Sequence, residues 1–112
     1  MLIRLTLAAA LLATPAFAAE DKQEACRYEG QVMAAVQKAR LDRVAKTKVA
    51  EHIAASEPTW PDNYNAAIPQ MVDYVFQMKK RDLKENDFGA LWEQQCLQTW
   101  DQRQDMLKAM QD

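Results

Sequence analysis

From Glu20 onward, apolar residues return at three- and four-residue steps, the period of a helix with one buried face. The first such segment is 20–43, with a stripe of Ala25, Tyr28/Glu29, Val32, Val36 and Ala39. Acids at Glu20, Asp21 and Glu24 open it and Lys38, Arg40 and Arg43 close it, as the helix dipole favours. Gly30 interrupts the segment at about 1 kcal/mol relative to alanine; it reads either as a close approach of another helix or as an accident of sequence. A second helix is expected at 47–56, capped by Thr47, with Val49, Ile53 and His52 toward the core. A third runs from 67 to 83 along Ile68, Met71/Val72, Val75 and Met78, widened by Tyr74 and Phe76. Pro69 fits its first turn, and the cations of "KKRDLK" (79–84) fall at its C-terminal end. A fourth helix, 87–110, is capped by Asn86 or Asp87. Its stripe is Phe88, Leu91/Trp92, Cys96, Trp100 (or Thr99), Arg103, Leu107 and Met110.

No segment alternates β-branched with polar residues, and the glycines offer no hairpin turn. The pattern therefore predicts an all-α fold, a small four-helix bundle-like domain. The clearest interruption is "EPTWPDNYN", bounded by Pro58 and Pro61. Trp60 is too large and apolar to stand bare without reason. It either folds back as a lid on the core or, with Tyr64, forms an interaction loop.

The residues before this domain obey a different grammar. Arg4 is followed by an apolar run from Leu5 to Ala13, broken only by Thr6, and then by "AFA" at 16–18. A positive start, a short apolar stretch and small residues before a polar one describe a secretory signal peptide, with cleavage between Ala18 and Ala19. The run is too short for a spanning helix, which needs roughly 20 apolar residues. Domains are accordingly 1–18, signal peptide, and 19–112, one helical domain. A periplasmic destination is expected, with secretion beyond it open and no stable membrane insertion after cleavage.

Charge and size narrow the function. The 112-residue chain carries 14 basic and 16 acidic residues, so no basic surface calls for nucleic acid. Cleavage leaves 94 residues, enough for one modest core.

Two cysteines, Cys26 and Cys96, remain after cleavage. An even count in an oxidising compartment reads first as a disulfide; pairing between chains is the alternative. Zinc would need more ligands than these and the sole histidine, His52, supply. A C-x-x-C redox pair is absent.

The remaining candidate chemistry is thin. "DFG" at 87–89 matches a kinase tripeptide without any of its partners. Carboxylate pairs such as Glu24/Glu29 and Asp101/Asp105 recur on any charged helix face. Met33, Met71, Met78, Met106 and Met110 read as core filler in preference to copper ligands. No catalytic residue, metal or cofactor is expected.

In size, export, helical character and one long-range disulfide, the chain resembles the small acid-stress chaperones of the enterobacterial periplasm, an architectural likeness that rests on no shared motif. It implies apolar helix faces exposed as the fold loosens at low pH. The first expectation is broader: a non-enzymatic binding or accessory module of the cell envelope, whose partner is another envelope protein.

Overall fold

The computed structural model describes residues 21–111; the expected signal peptide and cleavage position at Ala18 and Ala19 lie outside the described residues. Five α-helices follow one another: α1 (Lys22–Leu41), α2 (Val49–Ala55), α3 (Ile68–Gln77), α4 (Lys80–Glu85) and α5 (Phe88–Gln111). Two 3-10 turns, Lys46–Lys48 and Asp62–Ala67, lead into α2 and α3. The fold is all-α, with α1 and α5 as its most extensive helix pair. Among the described residues, no helix is long and apolar enough to cross a membrane.

Five helices replace the expected four because the segment 67–83 is broken at Met78 and Lys79, both in extended conformation. Helical phase explains the break. Ile68, Met71, Val72 and Val75 are buried on one face of α3. An unbroken helix would carry that face next to Lys79 and Asp82, both polar, and would leave Leu83 at its margin. The extended pair resets the phase, so Leu83 is buried to 1 % exposure while Lys79 stays in water. As a consequence Lys79, Lys80 and Arg81 stand at the start of α4, not at the dipole-matched end of a longer helix.

The ends of the helices follow capping chemistry. Asp21 caps α1, its Oδ1 accepting from the Gln23 N–H at 3.0 Å. At the other end Arg43 takes φ 65°. The Val44 N–H reaches back to the Ala39 carbonyl and the Arg43 N–H to that of Arg40, which is a Schellman closure. Asp87 caps α5 through the Ala90 N–H, and the Asn86 amide closes α4 onto the Asp82 carbonyl. Thr47 does not cap α2: it lies inside the 3-10 turn, and α2 starts at Val49 without a side-chain cap.

The core gathers Val32, Met33 and Val36 of α1, Val49 and Ile53 of α2, the α3 stripe and Leu83. Trp60 belongs to it, 9 % exposed, its indole N–H donating to Asn65 Oδ1 at 2.8 Å. His52 is exposed and takes no part in the inner face of α2. Tyr74 is likewise outside, 48 % exposed. Gln37, the one buried polar side chain among the described residues, does structural work that its type does not advertise. Its amide N–H groups donate to the Leu83 and Asn86 carbonyls at 2.6 and 2.7 Å, and its oxygen accepts from the Phe88 N–H at 3.0 Å. One α1 residue thus holds the end of α4 and the beginning of α5.

Candidate interaction surface

Two glycines let α1 and α5 touch. A Cβ placed on Gly30 would lie 2.8 Å from the Gly89 carbonyl oxygen, and one on Gly89 equally close to that of Gly30. The interruption in α1 is therefore a close approach. One to two turns away, Cys26 and Cys96 form the single disulfide, across 70 residues of sequence. Moving from 26 to 30 in α1 accompanies a move from 96 to 89 in α5, so the two helices are antiparallel.

Around the disulfide the polar groups converge. Arg103 of α5 donates to both carboxylate oxygens of Glu29 on α1, at 3.2 and 3.3 Å. The same guanidinium lies 3.2 Å from the Cys96 sulfur, which accepts as a weak acceptor. Glu29 Oε2 also stands 3.2 Å from that sulfur; a disulfide sulfur carries no proton, so this is a packing contact. The Trp92 indole N–H points at Glu29 Oε1 across a long 3.4 Å. Tyr74 leans on Trp92 with ring centroids 6.1 Å apart.

Beside the disulfide an open cleft of about 550 Å³ lies between α1, α3 and α5, walled by Gln70, Met71, Tyr74, Trp92 and Gln95, with the Glu29–Arg103 pair at one side. A smaller adjoining hollow reaches Cys96 and Thr99. The chemistry on offer is recognition: an aromatic wall for apolar groups and a bidentate ion pair whose Arg103 side chain is 44 % exposed. Cys26, Glu29 and Cys96 bring potential ligand atoms within 4.8 Å of one another. With their sulfurs bonded together, the cysteines offer no thiolate to a metal.

The sequence-derived site residues are distributed unevenly over this geometry. Cys26 and Cys96 meet as expected. Trp60 closes the core, and Tyr64, half-buried, stacks at 5.3 Å on Tyr28; neither lines the cleft. In the sequence Glu29 shows as a position on a helical stripe and as half of the carboxylate pair Glu24/Glu29, and Arg103 only as a polar residue on an apolar stripe. That second anomaly was the signal available, because an arginine on an inner face needs a partner.

Beyond the cleft the inner stripe of α5 does not stay inside. Gly89 and Cys96 are buried, and Phe88, Trp92 and Trp100 are half-buried. Leu91, Leu107 and Met110 are exposed, contrary to the expected inward stripe, and so is Met106, contrary to its reading as core filler. No family model, curated protein or solved structure matches this chain.

Proposed function

We propose that the protein is a small exported binding or accessory module of the cell envelope, cleaved after Ala18 and acting without catalysis on another envelope protein. Its place is the periplasm, where the Cys26–Cys96 bond persists. The observation that carries this reading is the cleft at the Glu29–Arg103 pair. An apolar wall beside a partly solvated, geometrically fixed ion pair suits an apolar side chain flanked by a polar group on a partner's surface. Trp60 contributes to that role by fixing the core, not by contact.

The test uses two cleft variants, Gln95→Trp, which fills the opening, and Tyr74→Ala, which removes part of its wall. Both positions are exposed, so the fold tolerates them. Cross-linked envelope fractions carrying the unaltered chain should yield a discrete co-purifying protein that both variants lose. Identical co-purification by all three chains would contradict the reading.

A second reading, acid-stress chaperoning, has one observation in its favour: Met106, Leu107 and Met110 are exposed in the folded chain. Light scattering at pH 2–3 tests it, since a chain that leaves client aggregation unchanged there is not such a chaperone.

A further inference from the structure

Two cysteines are too few ligands for zinc, and His52, exposed on α2, does not join them. Glu29 supplies a third. Among the described residues, Cys26, Glu29 and Cys96 form a group whose ligand atoms all lie within 4.8 Å of one another. Cys26 and Glu29 are neighbours on one face of α1, three residues apart, and Cys96 faces them from α5. With Zn–S near 2.3 Å and Zn–O near 2.0 Å, a tetrahedral zinc-like ion holds sulfur and oxygen ligands about 3.5 Å apart. The Cys96 sulfur and Glu29 Oε2 already stand 3.2 Å apart. Only the two sulfurs, bonded to each other here, must separate. Side-chain torsions on α-carbons 5.5 Å apart supply that without moving either helix.

We infer that the reduced protein is a metal-binding form, in which the Cys26 and Cys96 thiolates and the Glu29 carboxylate hold one zinc-class divalent cation. The ion then replaces the disulfide as the clasp between α1 and α5. A dithiol reductant converts the bond to two thiols and is itself oxidised to a disulfide, and the cation displaces both thiol protons to solvent. Three features select this ligand. The donor set of two thiolates and one carboxylate suits zinc, cobalt or cadmium, whereas copper(I) disfavours the hard oxygen. Charge closes as well: two thiolates, a carboxylate and a divalent cation sum to one negative charge, and Arg103 neutralises it. That guanidinium already donates to both Glu29 oxygens and lies 3.2 Å from the Cys96 sulfur, the place of an outer donor that orients metal ligands. Finally, the hollow of about 200 Å³ beside Cys96, lined by Gln95 and Thr99, gives a way in. It also leaves room for the water that three-ligand zinc sites keep in their fourth position. None of this depends on what occupies the larger cleft.

Purified protein, reduced with a phosphine and desalted without air, is titrated with Co²⁺ and read by absorption. The expected result is a single Co²⁺ per chain, with the sulfur charge-transfer and strong visible bands of a tetrahedral thiolate site, bleached by Zn²⁺. The oxidised protein should show neither band. Because reduction removes the clasp, circular dichroism runs in parallel: Zn²⁺ should raise the melting temperature of the reduced chain and restore any helix lost on reduction. Glu29→Gln and Arg103→Gln should each weaken Co²⁺ binding by about tenfold or more, while His52→Ala binds like the unaltered chain. No tetrahedral spectrum in the reduced protein, an unchanged affinity in either of the first two variants, or a reduced chain whose melting Zn²⁺ leaves unmoved would overturn the inference.

Discussion

Arg103 of α5 holds both carboxylate oxygens of Glu29 on α1, 74 residues away, while resting on the Cys96 sulfur. The pair joins the same two helices as the disulfide and lies against it. Because the Arg103 side chain is nearly half in water and that of Glu29 is 16 % exposed, its contribution is modest. Arg103→Ala should lower stability by about 0.5–1 kcal/mol in urea titrations at low salt, and by less at high salt. A loss unaffected by salt would assign Arg103 a packing role in place of an electrostatic one.

The disulfide carries more. Chain entropy for a loop of this length gives roughly 4 kcal/mol, a large share of what a domain of this size possesses. Cys26→Ser/Cys96→Ser should therefore melt far below the oxidised protein in thermal scans followed by circular dichroism. A shift of only a degree or two would mean that the helix contacts alone suffice.

At Gly30 two effects oppose each other. Alanine gains about 1 kcal/mol in helix propensity. Its Cβ, however, would meet the Gly89 carbonyl at 2.8 Å, and that oxygen belongs to a helix backbone with little freedom to move. Overpacking of this kind costs about 1–3 kcal/mol, so Gly30→Ala should be destabilising overall. A raised denaturation midpoint would show that the helices separate easily.

Gln37 makes a sharper case. Replacing it with Met keeps the volume and removes every partner of the Leu83 and Asn86 carbonyls and the Phe88 N–H that it supplies. Buried groups left unpaired cost about 1–3 kcal/mol each, so Gln37→Met should lose several kcal/mol. Hydrogen exchange should rise first at α4 and the opening turn of α5. Uniformly faster exchange across α1 would instead mean that the whole domain opens as one unit.

Tyr28 gives a pH signature. Its hydroxyl donates to Glu24 at 2.8 Å. That bond foremost, with burial and the Glu24 charge, raises the phenol above its ordinary value, partly offset by Arg27. The neutral phenol is thus the form the fold favours. Its stabilisation is present below the unfolded tyrosine value, near 10, and is lost as pH rises through the higher folded value. In an ultraviolet titration Tyr28 should ionise above an ordinary tyrosine, and Glu24→Gln should bring it down. No change in that variant would place the cause elsewhere.

How much of this was legible in the sequence differs residue by residue. The disulfide follows from parity and the expected oxidising compartment, and Asp87 from its place before an apolar period. The break after α3 is open to phase arithmetic, since Lys79 and Asp82 fall where the buried stripe should continue, yet no glycine or proline between 70 and 83 marks it. Gln37 gave no sign, because a glutamine suits any helix and its three partners lie 46–51 residues away. The bare end of α5 was hidden for another reason: its residues obey the helical period, and only the antiparallel register with a shorter α1 shows that nothing in α1 reaches them.

The proposed binding surface is the face around Glu29, Trp92 and Arg103, with another envelope protein as its partner. Photo-cross-linking inside the intact envelope tests it most directly, with the probe placed in turn at Gln95 on the cleft rim and at Ala50, exposed on α2 and absent from the cleft lining. A discrete adduct with one envelope protein is expected from position 95 and none from position 50. No adduct from position 95, or the same adducts from both, would contradict it.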